Sequence, residues 1–298
     1  MRSPLPIVDG VTPSSQWLPR GPWRTIVEFL QERFSHVPLE IWIERMAAGE
    51  VRDATGSVIT VDTRYREGMC IFYYRSLEDE PHIPFPQTIL YEDEHLLVVD
   101  KPHFLPVVPA GRFLQETLLV RLRNQGGRDS IAPVHRLDRE TAGVVLFSTN
   151  SATRRLYTKL FRERKVTKLY EALAENEVGT AALRRSRIVR GEPFFRMCEV
   201  EGVSNAETHI EKLDRTTSGH TRYRLRPTTG KKHQLRVHLA AMGMPIVNDR
   251  LYPVYEKERY DRDDFSRPLQ LLGRSIAFVD PVSGRELYFE SKQALSGC

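Results

Sequence analysis

Residues 133–147, PVHRLDRETAGVVLF, set one histidine, two arginines, two carboxylates and a glycine ahead of an apolar run. Asp138 lies three residues after His135, in a polar stretch leading into the strand-like run 144–147. A carboxylate on a loop held by a rigid strand is well placed to act as base or nucleophile. A lone Asp is also an ordinary cap, turn residue or ion-pair partner, and residue types alone leave both readings open. Spacing does remove some chemistries. Protein kinases need H-R-D with Asn at a fixed offset and a Gly-rich phosphate loop. Here Leu137 separates Arg136 from Asp138, Gly143 stands where the Asn would fall, and no G-x-G-x-x-G occurs. P-loop, H-E-x-x-H and G-x-S-x-G patterns are likewise missing.

A second charged cluster is KKHQLRVHLAAMG, residues 231–243. The pattern predicts a helix closed by Gly243, with Lys231, Lys232 and Arg236 on its first turns and Leu235, Leu239 and Met242 as its buried stripe. Cations at a helix N-terminus run against the dipole, which suggests a bound anion as their purpose; an ordinary solvated face is the other reading. His233 and His238 are five apart and do not share a face, so no metal site is expected.

The elements that must position these clusters follow from periodicity. A Pro- and Ser-rich leader over residues 1–19 is followed by two helical patterns, with Ile26, Phe29, Leu30 and Phe34 on the first and Ile41, Ile43 and Met46 before a Gly49 stop on the second. Residues 56–75 alternate like a small hairpin, and the acids and prolines of 76–87 read as a linker. Beyond it, 88–102 reads as a hairpin around 92–94. Residues 151–165 form an amphipathic helix with Ser151 as its N-cap, and 167–175, 222–227 and 275–291 are strand candidates. The expected fold class is α+β, a largely antiparallel mixed sheet with helices on its faces.

Charge is unevenly distributed. The chain of 298 residues carries a net +5. Four basic residues face ten acidic ones between 50 and 94, whereas 151–190 holds eleven against four and 215–250 eight against one. Such a surface attracts a polyanion, nucleic acid being the commonest. Cys70, Cys198 and Cys298 are widely spaced, which fits a reducing compartment and argues against a disulfide scaffold or zinc ribbon. No apolar run approaches the roughly 20 residues needed to span a bilayer, so a cytoplasmic protein without a membrane partner is expected.

Taken in order, HRLDRETAGVVLFS, KLYEALAE and TGKKHQLRVHLAAMGMPIVNDRLY closely resemble the signature motifs of the RluA-type RNA pseudouridine synthases. ILYEDEHLLVVDKP looks like that family's opening strand pair and IAFVDPVSGRELYFES like its closing strands, so the resemblance spans about 88–291. Residues 20–75 are similar in layout to an S4-type RNA-binding module, although GEVRDATG lacks the usual Asn-Gly turn. The resemblance implies a pseudouridine synthase fold over 88–298. It matches Asp138 to the essential Asp, Tyr170 to the Tyr that packs on the target base and helps remove the C5 proton, and Arg236 to the Arg paired with that Asp. Arg136 matches the Arg that fills the space left by the flipped nucleotide, and Arg139, Lys231 and Lys232 are candidate contacts to the RNA. Because the reaction is an isomerisation, no cofactor or metal is implied, and the expected partner is RNA, rRNA ahead of tRNA, bound by a monomer. Whether Asp138 attacks C1′ or removes a ribose proton stays open.

The departures are Ala142 for the usual Ser, Lys231 where Arg is frequent, His103 and Phe104 in place of small residues including Gly, and Asn248 and Pro253 in place of glycines. The competing expectation is a non-catalytic RNA-binding or ribosome-assembly factor that keeps the fold. Retention of Asp138, Tyr170 and Arg236 argues against it.

Overall fold

The computed structural model describes residues 3–77, 79–177, 179, 181–255, 257 and 263–296. Cys298 lies outside the described residues. The chain divides into two units. The smaller comprises Met1–Pro81 with Pro109–Gln115 and Arg123–Asp129; the larger comprises His82–Val108, Glu116–Leu122 and Ser130–Cys298.

In the smaller unit, a three-stranded antiparallel sheet is ordered β1 (Ser14–Trp17), β3 (Cys70–Tyr73), β2 (Val51–Asp53), with helices α1 (Ile26–Arg33) and α2 (Leu39–Ala47). A capping box starts α1: Thr25 accepts the Glu28 amide, and the Glu28 carboxylate accepts back from the Thr25 amide. Ile26, Phe29 and Leu30 then face a core shared with Trp42, Met46, Val51 and Ile71. On α2 the buried side is carried by Trp42 and Met46, whereas Ile43 is exposed and Ile41 only half-buried. The expected leader contains β1, which pairs with β3 from Ser14↔Tyr73 to Trp17↔Cys70. Within 56–75 the regular strand is β3, buried at every position, while Val58 and Arg64 form isolated bridges to Arg52 and Thr25. Residues 53–57 close an Asx turn instead, Asp53 accepting the amides of Thr55 and Ser57.

The larger unit is built on an eleven-stranded sheet. Its strands are β4 (Thr88–Glu92), β5 (Leu96–Lys101), β6 (Ala132–Pro133), β7 (Ala142–Ser148), β8 (Thr167–Ala174), β9 (Ala181–Arg190), β10 (Met197–Val200), β11 (Ala206–Arg215), β12 (Thr221–Pro227), β13 (Leu271–Val279) and β14 (Glu286–Glu290). The order is β10-β9-β11-β12-β8-β13-β7-β5-β4, with β14 on β13 and β6 on β7. Every pairing is antiparallel except β13 with β7. That parallel contact depends on glycine. A Cβ on Gly143, whose φ is +123°, would lie 2.3 Å from the Gly273 carbonyl oxygen, so only glycine at position 143 lets these strands meet.

Helix α4 (Arg154–Arg162) packs Tyr157 into a core with Leu96, Val98, Val144, Leu146 and Phe278. Its N-cap is Thr153 rather than the expected Ser151, because the Asn150 side chain accepts the Ala152 amide and holds 151–153 in a turn. α3 (Leu118–Gly126) begins in this unit, and α5 (Gln234–Ala241) covers a core of Ala172, Ala174, Tyr223 and Leu225. The second half of the expected linker is built into the unit: Ile83 is buried, and Arg121 donates to the carbonyls of Ile83 and Phe85. Among the described residues no helix is long and apolar enough to cross a membrane.

Candidate active site

The HRLD stretch lies in the hairpin loop between β6 and β7, where every third residue, Val134, Leu137 and Glu140, is buried. His135 accepts the Leu146 amide on Nε2, replacing the next rung of the ladder, and its ring stacks on Phe161 of α4 at 4.7 Å. Burial, then the nearby Lys168 charge, holds this imidazole down at about 3, so it stays neutral and serves as a bracket. Leu137 is buried, Arg136 points to solvent, and Asp138 sits at the rim with 27% of its side chain exposed. Among the described residues the Arg136 side chain makes no hydrogen bond or ion pair.

Lys231 and Lys232 are exposed and precede α5 rather than lying on it. The Gln234 side-chain oxygen Oε1 accepts from the Lys231 amide and the Thr229 hydroxyl, closing a turn before the helix, and His233 caps it in a left-handed conformation at φ 55°. The helix is buried all round from Gln234 to Leu239, not along one stripe. Arg236 is thereby sunk beneath Asp138, its side chain 1% exposed.

Arg236 forms a fork to Asp249, Nε and Nη2 donating at 2.8 and 2.6 Å, and reaches Glu140 at 3.1 Å. Its other terminal nitrogen lies 3.7 Å from Asp138. The implied pairing with Asp138 is thus present as a longer ion pair, while the close partner is Asp249, which sequence reasoning missed. Glu140 in turn accepts from Arg250 at 2.6 Å, and Asp263 takes both Arg139, at 2.9 and 3.0 Å, and Arg250. Arg139, expected to contact RNA, is therefore engaged within the protein. Burial pushes the Glu140 carboxyl up, but Arg236, Arg139 and Arg250 outweigh it and bring it down to about 2.

Lys101, also missed, is fully buried at the end of β5 and donates to the carbonyls of Pro102, Leu105 and Arg139. Burial lowers it to about 7, against the attraction of Asp138. The one signal available was a lysine closing an apolar strand run that has no solvent side. The neighbouring Asp100 binds the closing segment, accepting from Ser291, Lys292 and Gln293.

Tyr170, on β8 opposite Leu225 of β12, is half-buried. Burial and the Asp138 charge raise its phenol, which stays protonated. His233 adds a further partner. The Met197 amide donates to the Tyr252 hydroxyl, which also shares a hydrogen bond with His233 Nδ1 at 2.8 Å, and His233 Nε2 lies 3.9 Å from Asp138. Burial holds this ring neutral, down at about 4. Among the described residues no three or more His, Cys, Asp or Glu are grouped to hold a metal ion.

Two of the departures adopt a backbone that favours glycine. Phe104 and Asn248 both adopt left-handed φ, 65° and 64°. Phe104 is held by Phe265 and Phe85 at ring distances of 5.1 and 6.0 Å.

Fold and site define the class: a mostly antiparallel α+β sheet that presents a rim carboxylate, a neutral phenol and a buried guanidinium together. Residues 95–241 match the family described as RNA pseudouridylate synthase. A Synechocystis protein described as an uncharacterized RNA pseudouridine synthase is 31% identical over 237 residues, covering 76% of this chain and 79% of that one. The dual-specificity RNA pseudouridine synthase RluA of Yersinia pestis is 35% identical over 207 residues, covering 68% and 97%. Among solved structures, human RNA pseudouridylate synthase domain containing 1 matches with a TM-score of 0.58 at 25% identity, over 72% of this chain and 86% of that one. The chain belongs to the RluA-type RNA pseudouridine synthases, isomerases that act on RNA.

Proposed function

We propose that Asp138 is the essential group of this isomerase, with Tyr170 and Arg236 as its partners, and that the substrate is a uridine in structured RNA, rRNA ahead of tRNA. The observation that carries the reading is the placement of Asp138: half-exposed at the rim, with Arg236 buried 3.7 Å beneath it and the Tyr170 phenol within electrostatic reach. The base leaves C1′ through N1, turns, and rejoins through C5, so no atom is gained or lost. Asp138 works at the ribose while Tyr170 lies against the base and assists loss of the C5 proton. Arg236, fixed in turn by Asp249, sets a buried positive charge 3.7 Å from the Asp138 carboxylate. A uridine inside folded RNA must be extruded to reach the site, and the gap-filling role belongs in this reading to Arg136, whose exposure supports it.

Residues 20–75, two helices within a small antiparallel sheet unit, are read as an S4-like RNA-binding module, the catalytic domain as 88–298 and the setting as cytoplasmic. An added RNA-binding module suits a large target, which is why rRNA is placed first. Incubation with RNA tritiated at uridine C5 tests the chemistry. Wild-type protein releases label and Asp138→Asn does not; equal release by Asp138→Asn would remove Asp138 from the mechanism. Mapping pseudouridine in rRNA and tRNA from cells with and without the gene identifies the target.

A further inference from the structure

Residues 191–196, GEPFFR, form the hairpin loop between β9 and β10. The loop is internally fixed, Gly191 N–H donating to the Arg196 carbonyl and Arg196 N–H to that of Pro193. Its two phenylalanines behave oppositely. Phe195 packs on a core of Ile188, Val237, Leu251 and Tyr252 and meets Tyr255 edge-on at 5.4 Å. Phe194 is 69% exposed, and its one ring contact among the described residues is Phe195.

The loop is tied to the wall of the Asp138 site by two routes. Lys232 Nζ donates to the Phe195 carbonyl at 2.8 Å, and Lys232 lies within electrostatic reach of Asp138, Arg136 and Arg190. The Arg196 guanidinium covers the Tyr252 ring, whose hydroxyl meets His233 beside Asp138. An exposed aromatic on a rigid loop, set among cations with Glu192 as the loop's single carboxylate, matches what unpaired nucleotides need: a flat face for a base and positive charge for the flanking phosphates.

We propose that Phe194 is a stacking platform for an unpaired base neighbouring the uridine that enters the Asp138 site, with Lys232 and Arg190 serving the adjoining phosphates. The inference rests on the RNA reading above. Extruding a uridine costs its neighbours their stacking, and a base laid on Phe194 recovers part of it.

The test uses the full chain, with Phe194→Ala and Phe194→Trp, and two fluorescein-labelled RNA stems, one closed by an all-uridine loop and one by an abasic loop. Anisotropy titration is expected to show Phe194→Ala binding the uridine loop about tenfold more weakly. Phe194→Trp restores affinity, and the abasic loop does not distinguish the variants. Unchanged affinity of Phe194→Ala, equal losses on both stems, wild-type binding that does not prefer the uridine loop, or an effect only on self-association would each overturn the proposal. Tritium release separates it from the catalytic reading. Release with Phe194-independent binding removes the platform alone; Phe194-dependent binding without release removes the catalytic role alone.

Discussion

Two sets of cations surround Asp138, and the chain treats them in opposite ways. Beneath it, Arg139, Arg236 and Arg250 are matched with Glu140, Asp249 and Asp263 at hydrogen-bond distance. Nearer the surface, Arg136, Lys231 and Lys232 face solvent, and among the described residues Lys232 alone of the three is anchored, to a carbonyl. Buried charge must be paired, because an unpaired ion in the interior costs several kcal/mol. Exposed charge gains little from pairing and stays available to phosphate. The lower set therefore fixes geometry, while the upper set meets the ligand.

The largest effect expected from breaking this division is at Arg236. Arg236→Met leaves Asp249 buried without its partner and should cost about 3–5 kcal/mol in urea unfolding. Adding Asp249→Asn should recover part of that loss, giving a coupling well above the few tenths of a kcal/mol seen for independent sites. Additive losses would mean that the fork does not hold the site together. The corresponding exposed change, Arg136→Ala, should move stability by less than about 0.5 kcal/mol.

This division explains what could be read from residue order. Asp138, Tyr170 and Arg236 fall in motifs whose local spacing survives folding, and the β4–β5 and β13–β14 hairpins follow from apolar runs on either side of a short polar turn. The partners inside the network do not. Arg139 looks like any loop arginine until Asp263, 124 residues away, is brought to it. Lys101 reads as a strand-end cation until three carbonyls enclose it. β9 escaped notice because Arg184, Arg185 and Arg187 break its apolar pattern. Arg184 and Arg185 are offset by Glu199 on β10 and Glu207 on β11, partners that only the fold supplies.

Acid should weaken the lower set first. Glu140 titrates at about 2 in the folded chain, below the roughly 4.3 of an unfolded glutamate. Its stabilisation is therefore complete above about pH 4–5 and is lost as pH falls toward 2. Melting temperatures followed from pH 7 to 3 should drop less steeply for Glu140→Gln, which begins lower. Parallel curves would assign the acid sensitivity elsewhere.

The upper set predicts a smaller, salt-dependent effect. Arg136→Ala with Lys231→Ala should weaken RNA binding at low salt, each lost phosphate contact reducing the log–log salt slope by about 1. Because neither group pairs within the described protein, the unfolding midpoint should stay put. A lower midpoint with an unchanged salt slope would place both side chains in the supporting structure instead.

The smallest effect concerns the backbone that carries Asp249 to Arg236. Asn248 turns the chain at φ 64° and donates to the Pro268 carbonyl at 3.0 Å. Asparagine tolerates this region, so Asn248→Gly exchanges a modest hydrogen bond for freedom from strain and should stay within about 0.5 kcal/mol of wild type. Asn248→Val puts a branched side chain where it is poorly accommodated and should cost about 1–2 kcal/mol. If the turn matters because it aims Asp249, the Val variant should also lose turnover at saturating RNA, where a change in stability alone leaves folded enzyme fully active. Unaltered turnover in the Val variant would show that the Arg236 fork holds Asp249 in place without the turn.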